Sequence, residues 1–365
     1  MKEAVGQVER LDPAAAGEDI RCEWRRLALA RENPFLTPEW FESWHDSGSE
    51  EPWVLLWRRR PGAEIDAVLP LVLGHDGRAR SLRFPGADHG DWYGVACGPD
   101  DEGAAAAAFL TKIRELGAEW DVLRLDRVED GRAWSGMRAV RPDDVLPFLS
   151  FGDGGYEGWL ASRSRNFRSQ LGRRRRRAEG EHRAEYHDTP QRADLEAALE
   201  TLFRFHEERR RTQGGEGVLG ERARRAYGRF AELALAQGWL RMHSLELDGE
   251  PAAAWYGWRL GRRYLYGLSG FDPAREDLAV GTLLLAHTIE RAAAEGCAVY
   301  DLLWGDEAYK ERYATGRRTV ASLATASGLR GRVALAGRRG LSRVSHSLPD
   351  GARHRLRSLR ARAGR

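Results

Sequence analysis

The stretch VYDLLWGDEAYKERYAT, residues 299–315, places a carboxylate inside an apolar strand and a Tyr-Lys pair just past the strand's end. An unpaired carboxylate is costly to bury, so Asp301 needs a task or a partner. It could act as general base toward an attacking amine or hydroxyl, or it could salt-bridge a neighbouring Arg. Tyr309 offers a phenolic proton, and Lys310 an ammonium suited to a phosphate or a carboxylate. The same pair could instead pack the segment that follows.

A second candidate lies upstream. In AVGTLLL the helix starts directly after a loop, so the N–H groups of Val280, Gly281, Thr282 and Leu283 are expected to form an anion site. Gly281 has no side chain to obstruct a phosphate. The strand before it, RRYLYGLSGF, alternates so that Tyr264, Tyr266, Leu268 and Gly270 face one way and Leu265, Gly267, Ser269 and Phe271 the other. Its glycines mark a bulge or a close backbone approach.

Other chemistries lack their residues. HEERR at 206 has no second His at i+4, His45, His89 and His187 show no metal spacing, and neither a G-x-S-x-G nor a P-loop occurs. Cys22, Cys97 and Cys297 form no CxxC, so neither a disulfide framework nor a metal is expected, and a reducing cytoplasm is. The start, MKEAVGQVERLD, lacks the apolar run of a signal peptide. No apolar run approaches the roughly 18 residues of a membrane span. The net charge of +3 is uneven: eleven Arg and one acid from Arg330 to Arg365 give that tail +10, which leaves −7 on the rest. Such a tail could contact an anionic surface, or simply be solvated.

These sites need elements to hold them. In NPFLTPEWFESW, Thr37 caps a helix with Pro38 at its first position, and Trp40, Phe41 and Trp44 share a face. Strands, a helix at residues 104–116 and the alternating strand WDVLRLDRV complete an α/β lobe over residues 1–150. Its loop DHGDWYGVACG concentrates Asp88, His89, Asp91, Trp92 and Tyr93, either as an acceptor groove or as a plain turn. Residues 151–181 form a basic bridge, helical from about Trp159, whose run Arg173 to Arg177 a helix spreads around its circumference. From 182 to 328 the order is β-α-α-β-β-β-α-β, with turns at Asp248-Gly249 and Gly261-Arg262 joining three strands into a meander. Residues 329–365 are the basic tail.

That order, with SRNFRSQLGRRRRRAEG, LAVGTLLLAHTIERAAAEGC and YDLLWGDEAYKERYA, resembles the GNAT superfamily of N-acetyltransferases. With NPFLTPEWFESW and DHGDWYGVACGP added, the sequence from about residue 30 to 325 is similar to the CelD-like family linked to polysaccharide synthesis. More distantly it resembles the Fem-type aminoacyltransferases. The resemblance implies α/β architecture with mixed sheets in two tandem GNAT-like lobes. It implies an acyl-CoA donor, acetyl-CoA first, with pyrophosphate at Val280–Leu283 and the pantetheine arm in a splay lipped by Ser269 and Gly270. Asp301 would be the base, Tyr309 the acid for the leaving thiolate, and the acceptor an amine or hydroxyl on a glycan precursor. The chain has one glycine where the family's Q/R-x-x-G-x-G/A pattern has two, with Glu276 and Asp277 upstream. Two alternatives stand beside this: an aminoacyl-tRNA-dependent Fem-type transferase, in which the basic segments hold RNA, and a binding module on a degenerate GNAT scaffold.

Overall fold

The computed structural model describes residues 6–347, apart from residues 130, 142, 190, 213–218 and 306. The described chain forms two compact units, one of residues up to Asp144 together with those from Val320 onward, the other of Val145–Thr319.

In the first unit come β1 (Gln7–Leu11), α1 (Glu18–Ala30), α2 (Pro38–Asp46), β2 (Glu51–Arg58), β3 (Ala67–Asp76), β4 (Ala79–Arg83), β5 (Ala96–Cys97), α3 (Glu102–Glu115), β6 (Val122–Val128) and β7 (Arg138–Ala139). Thr37 does cap α2, its hydroxyl accepting from Trp40 N at 3.2 Å. The Asp76-Gly77 turn joins β3 and β4, and the parallel β4–β6 pair makes the sheet mixed. The loop with Trp92 and Tyr93 is a packed turn: both rings are buried, His89 stacks on Trp44, and the Tyr93 hydroxyl donates to Gly86 O at 2.7 Å.

The second unit runs β8 (Asp144–Ser150), α4 (Gly155–Ser162), α5 (Arg165–Glu181), β9 (Ala184–His187), α6 (Leu195–Thr212), α7 (Glu221–Ala236), β10 (Leu240–Leu247), β11 (Glu250–Leu260), β12 (Arg263–Phe271), α8 (Val280–Ala294) and β13 (Val299–Asp301). From β9 onward this is the order expected from sequence. The strands lie in the order β8-β13-β12-β11-β10-β9, with β12 and β13 parallel and the other pairs antiparallel. Fully buried Trp255, Tyr264 and Tyr300 on the sheet pack against Leu283, Leu284 and Ile289 of α8.

The bridge is two helices rather than one. Arg163 is extended, and the Ser164 hydroxyl accepts from Phe167 N at 3.1 Å to start α5. Within the arginine run, Arg175 binds Glu290 and Arg177 binds Asp277 and Glu181. The chain closes with β14 (Gly316–Ala326) and α9 (Gly328–Ser347). The tail expected over 329–365 thus begins as helix, and residues 348–365 lie outside the described residues.

Candidate active site

Two parallel strands of the second unit part company at a defined residue. β12 and β13 pair through Arg263↔Val299, Tyr264↔Tyr300 and Leu265↔Asp301, and there the ladder stops. Beyond it the chain stays with β8: Leu302 N donates to Pro147 O at 3.0 Å and Gly305 N to Val145 O at 3.4 Å. A wedge therefore opens between Tyr266–Ser269 on one side and Leu302–Gly305 on the other.

The β12 side of the wedge carries a bulge. Tyr256 pairs with Leu268 while Gly257 pairs with Tyr266, so Gly267 is the extra residue. A Cβ on Gly267 would fall 2.9 Å from the Trp258 ring, so no larger residue fits without repacking. The strict alternation read from the sequence is thereby broken. Tyr266 and Ser269, expected on opposite faces, come together, and their hydroxyls are hydrogen-bonded.

Helix α6 adds two side chains one turn apart. Arg209 Nη1 donates to Ser269 Oγ at 3.1 Å, and His206 Nδ1 lies 3.0 Å from Ser269 O. The Arg209 guanidinium also interacts electrostatically with Tyr266 and Tyr309 and lies over the rings of Phe271 and Tyr309, 5.9 and 5.7 Å from their centroids. Burial, reinforced by the neighbouring Tyr266, pushes the Tyr309 phenol above its ordinary range, so it is protonated at neutral pH. Two phenols, a serine hydroxyl and a guanidinium thus meet where the strands part. Sequence reading named Ser269 and Tyr309. It missed Arg209 and His206, whose i, i+3 spacing in HEERR puts them on one helical face.

The remaining expected residues have structural work. Asp301 is fully buried. Its Oδ2 binds Arg263 at 2.9 Å and also Arg318, and its Oδ1 accepts from Leu303 N at 3.0 Å. That last bond holds a turn in which Leu303 has a φ of 58°. Lys310 is buried rather than presented to a ligand: its ammonium donates to Trp304 O at 2.6 Å and pairs with Glu307 at 3.0 Å. Gly305, at φ 126°, lies under that clasp, where a Cβ would collide with Glu307. Gly270 is closed over by α6, since a Cβ there would strike the backbone of Phe205 and His206.

At the start of α8, Ala279 takes a left-handed conformation as N-cap. Its carbonyl already accepts from Thr282 N at 2.9 Å and Leu283 N at 3.1 Å. The expected set of four donors is therefore corrected to two, Val280 and Gly281, because the first turn consumes the others. Leu283 is in the core. A Cβ on Gly281 would approach Phe271 Cδ1 to 3.0 Å, so the glycine also lets this ring lie against the helix start. Upstream, Asp277 is neutralised by Arg177 at 3.0 Å.

Residues 165–311, from α5 to just past Tyr309, match the family described as an acetyltransferase (GNAT) domain. That stretch carries a GNAT-type acetyltransferase domain. Solved structures resemble the chain over most of its length. FemX is 11% identical with a TM-score of 0.63, covering 90% of this chain and 98% of that one. The C-terminal domain of a protein assigned as a lysylphosphatidylglycerol synthetase of Agrobacterium fabrum is 11% identical at 0.56, covering 89% and 95%. A conserved protein of unknown function from Bacteroides thetaiotaomicron is 11% identical at 0.53, covering 88% and 100%. No curated protein matches the sequence significantly. At such identities the structures speak for a shared fold alone. Among the described residues no helix is long and apolar enough to cross a membrane.

Proposed function

We propose that the protein is an acyl-CoA-dependent acyltransferase, moving an acetyl group to an amine or hydroxyl of a sugar-like or cell-envelope precursor. The observation that carries this reading is the wedge between β12 and β13, with Tyr309, Tyr266, Ser269 and Arg209 gathered at its mouth. In this reading the Val280 and Gly281 N–H groups hold the donor's pyrophosphate, and its thioester enters the wedge. The acceptor's nitrogen or oxygen attacks the thioester carbon, the C–S bond breaks, and the Tyr309 phenol gives its proton to the departing thiolate. The acceptor's own proton passes to water. Arg209 offsets charge that develops beside Tyr309. Asp301 positions the strand end, since both its oxygens are engaged. Trp304, 43% exposed just beyond the wedge, offers an indole face to the apolar side of a sugar ring.

A second reading has its own observation. The likeness to FemX extends over 90% of the chain and so over both units, which suits a Fem-type transfer from aminoacyl-tRNA. A thermal-shift screen separates the two, because only a ligand that binds the native state raises the melting point. Acetyl-CoA or free CoA should stabilise the protein. Tight, steeply salt-dependent tRNA binding without any CoA effect would favour the second reading.

A further inference from the structure

On the opposite edge of the second unit's sheet, three donor side chains converge without any part in the wedge. Asp188 follows directly on β9, His243 lies on β10 next to the last paired residue, Ser244↔His187, and His287 lies on α8. The Asp188 oxygen, His243 Nδ1 and a His287 nitrogen all lie within 4.8 Å of one another. We propose that these residues form a binding site for a divalent metal ion of the zinc class, a two-histidine, one-carboxylate site that ties the end of β9 to β10 and α8.

The decisive atom is His243 Nδ1. His243 is 3% exposed, and its Nε2 is occupied by the Tyr264 hydroxyl at 2.6 Å. Nδ1 lies 3.0 Å from Asp188 Oδ1 without meeting the geometry of a hydrogen bond. A buried ring nitrogen and a carboxylate oxygen this close, with a second imidazole nitrogen beside them, suit a cation. At metal–ligand distances of about 2.0–2.2 Å, tetrahedral neighbours are about 3.3–3.6 Å apart. The observed separations, 3.0 Å for His243 and 3.9 Å for His287 Nε2 from Asp188 Oδ1, bracket that range.

The surroundings match what such sites need. The Tyr264 hydroxyl fixes the His243 ring from its far nitrogen, the usual support for an imidazole ligand. The His287 ring is held by stacking on Tyr186 at 4.4 Å, 19° from parallel, and lies edge-on to His243, with centroids 5.7 Å apart. Arg291 takes the other Asp188 oxygen at 3.1 Å, which orients the carboxylate as second-sphere groups do. Imidazole with a single carboxylate selects zinc, cobalt, nickel or copper over calcium or magnesium. Sequence reading missed the group because its members are 55 and 44 residues apart in the chain.

The test uses tag-free, chelator-treated full-length protein titrated with ZnCl2 by calorimetry, with melting temperature followed in parallel. One zinc per chain should bind and raise the melting temperature, while MgCl2 should not. Asp188→Asn and His287→Gln, both at partly exposed positions, should each weaken zinc binding at least tenfold. His187→Ala, in the neighbouring surface group Glu185, His187 and Glu246, should leave it unchanged. No saturable zinc binding by the wild type overturns the proposal, as does equal binding by Asp188→Asn and His287→Gln. Loss of binding only in His187→Ala also overturns it. Neither acyl-CoA binding nor turnover enters this measurement, so it stands or falls apart from the transferase reading.

Discussion

The Tyr266 hydroxyl is hydrogen-bonded to Ser269 Oγ, three residues further along the same strand. In a regular strand, residues three apart point to opposite faces. The bulge at Gly267 brings them to one side, and Arg209 donates to Ser269 Oγ from α6. The bulge therefore builds the polar mouth of the wedge, and α6 secures it.

Tyr309→Phe removes a proton donor and almost no bulk. Turnover should fall by roughly 100-fold with little change in donor affinity, as steady-state kinetics with an identified acceptor would show. A raised donor KM with unchanged kcat would make Tyr309 a binding residue.

The raised pKa of Tyr309 fixes the sign of its pH behaviour. Folding favours the neutral phenol, so its contribution to stability is full below its ordinary pKa of 10.0 and is lost only as pH rises through the higher folded value. Titration of tyrosinate absorbance between pH 9 and about 11 should be the same for wild type and Tyr309→Phe. A phenol that disappears from the pH 10 transition in the variant would show Tyr309 to be ionised there, and so unsuited as the acid.

Asp301→Asn leaves the guanidiniums of Arg263 and Arg318 facing a neutral amide in a buried site. The expected cost is about 3–5 kcal/mol of folding stability, read from denaturant unfolding, with turnover at a permissive temperature reduced less than tenfold. A 100-fold loss of kcat at unchanged stability would instead restore the base role suggested by the sequence.

Lys310→Met removes the clasp onto Trp304 O and Glu307 and should loosen residues 304–310, seen as faster amide exchange there. Trp304→Ala should raise the acceptor KM several-fold and spare the donor's. If both variants leave acceptor kinetics untouched, the acceptor binds elsewhere.

Much of this was legible in the residues. The alternation of apolar positions, the Asp-Gly turns and the Thr37-Pro38 cap marked elements that the structure forms, because each is decided by local chemistry. Ser269 and Tyr309 were legible as polar residues flanking a strand end. The partners of Asp301 were not: Arg263 and Arg318 lie 38 and 17 residues away, and only the sheet register brings them in. The bulge at Gly267 escaped for a similar reason, since a glycine in a strand signals irregularity without saying which residue becomes the extra one. The break at Arg163 was hidden because Ser164 reads as an ordinary helical position unless its capping bond is seen.

Calorimetric titration of the wild type and Gly281→Glu with acetyl-CoA tests the central claim most directly. The wild type should bind one acetyl-CoA per chain, and Gly281→Glu, if folded with a comparable melting temperature, should lose that binding through bulk and charge at the start of α8. Tyr309→Phe, as a control, should bind as the wild type does. A folded Gly281→Glu protein with undiminished affinity, or a wild type that gives no heat with acetyl-CoA while binding aminoacyl-tRNA, would contradict the account.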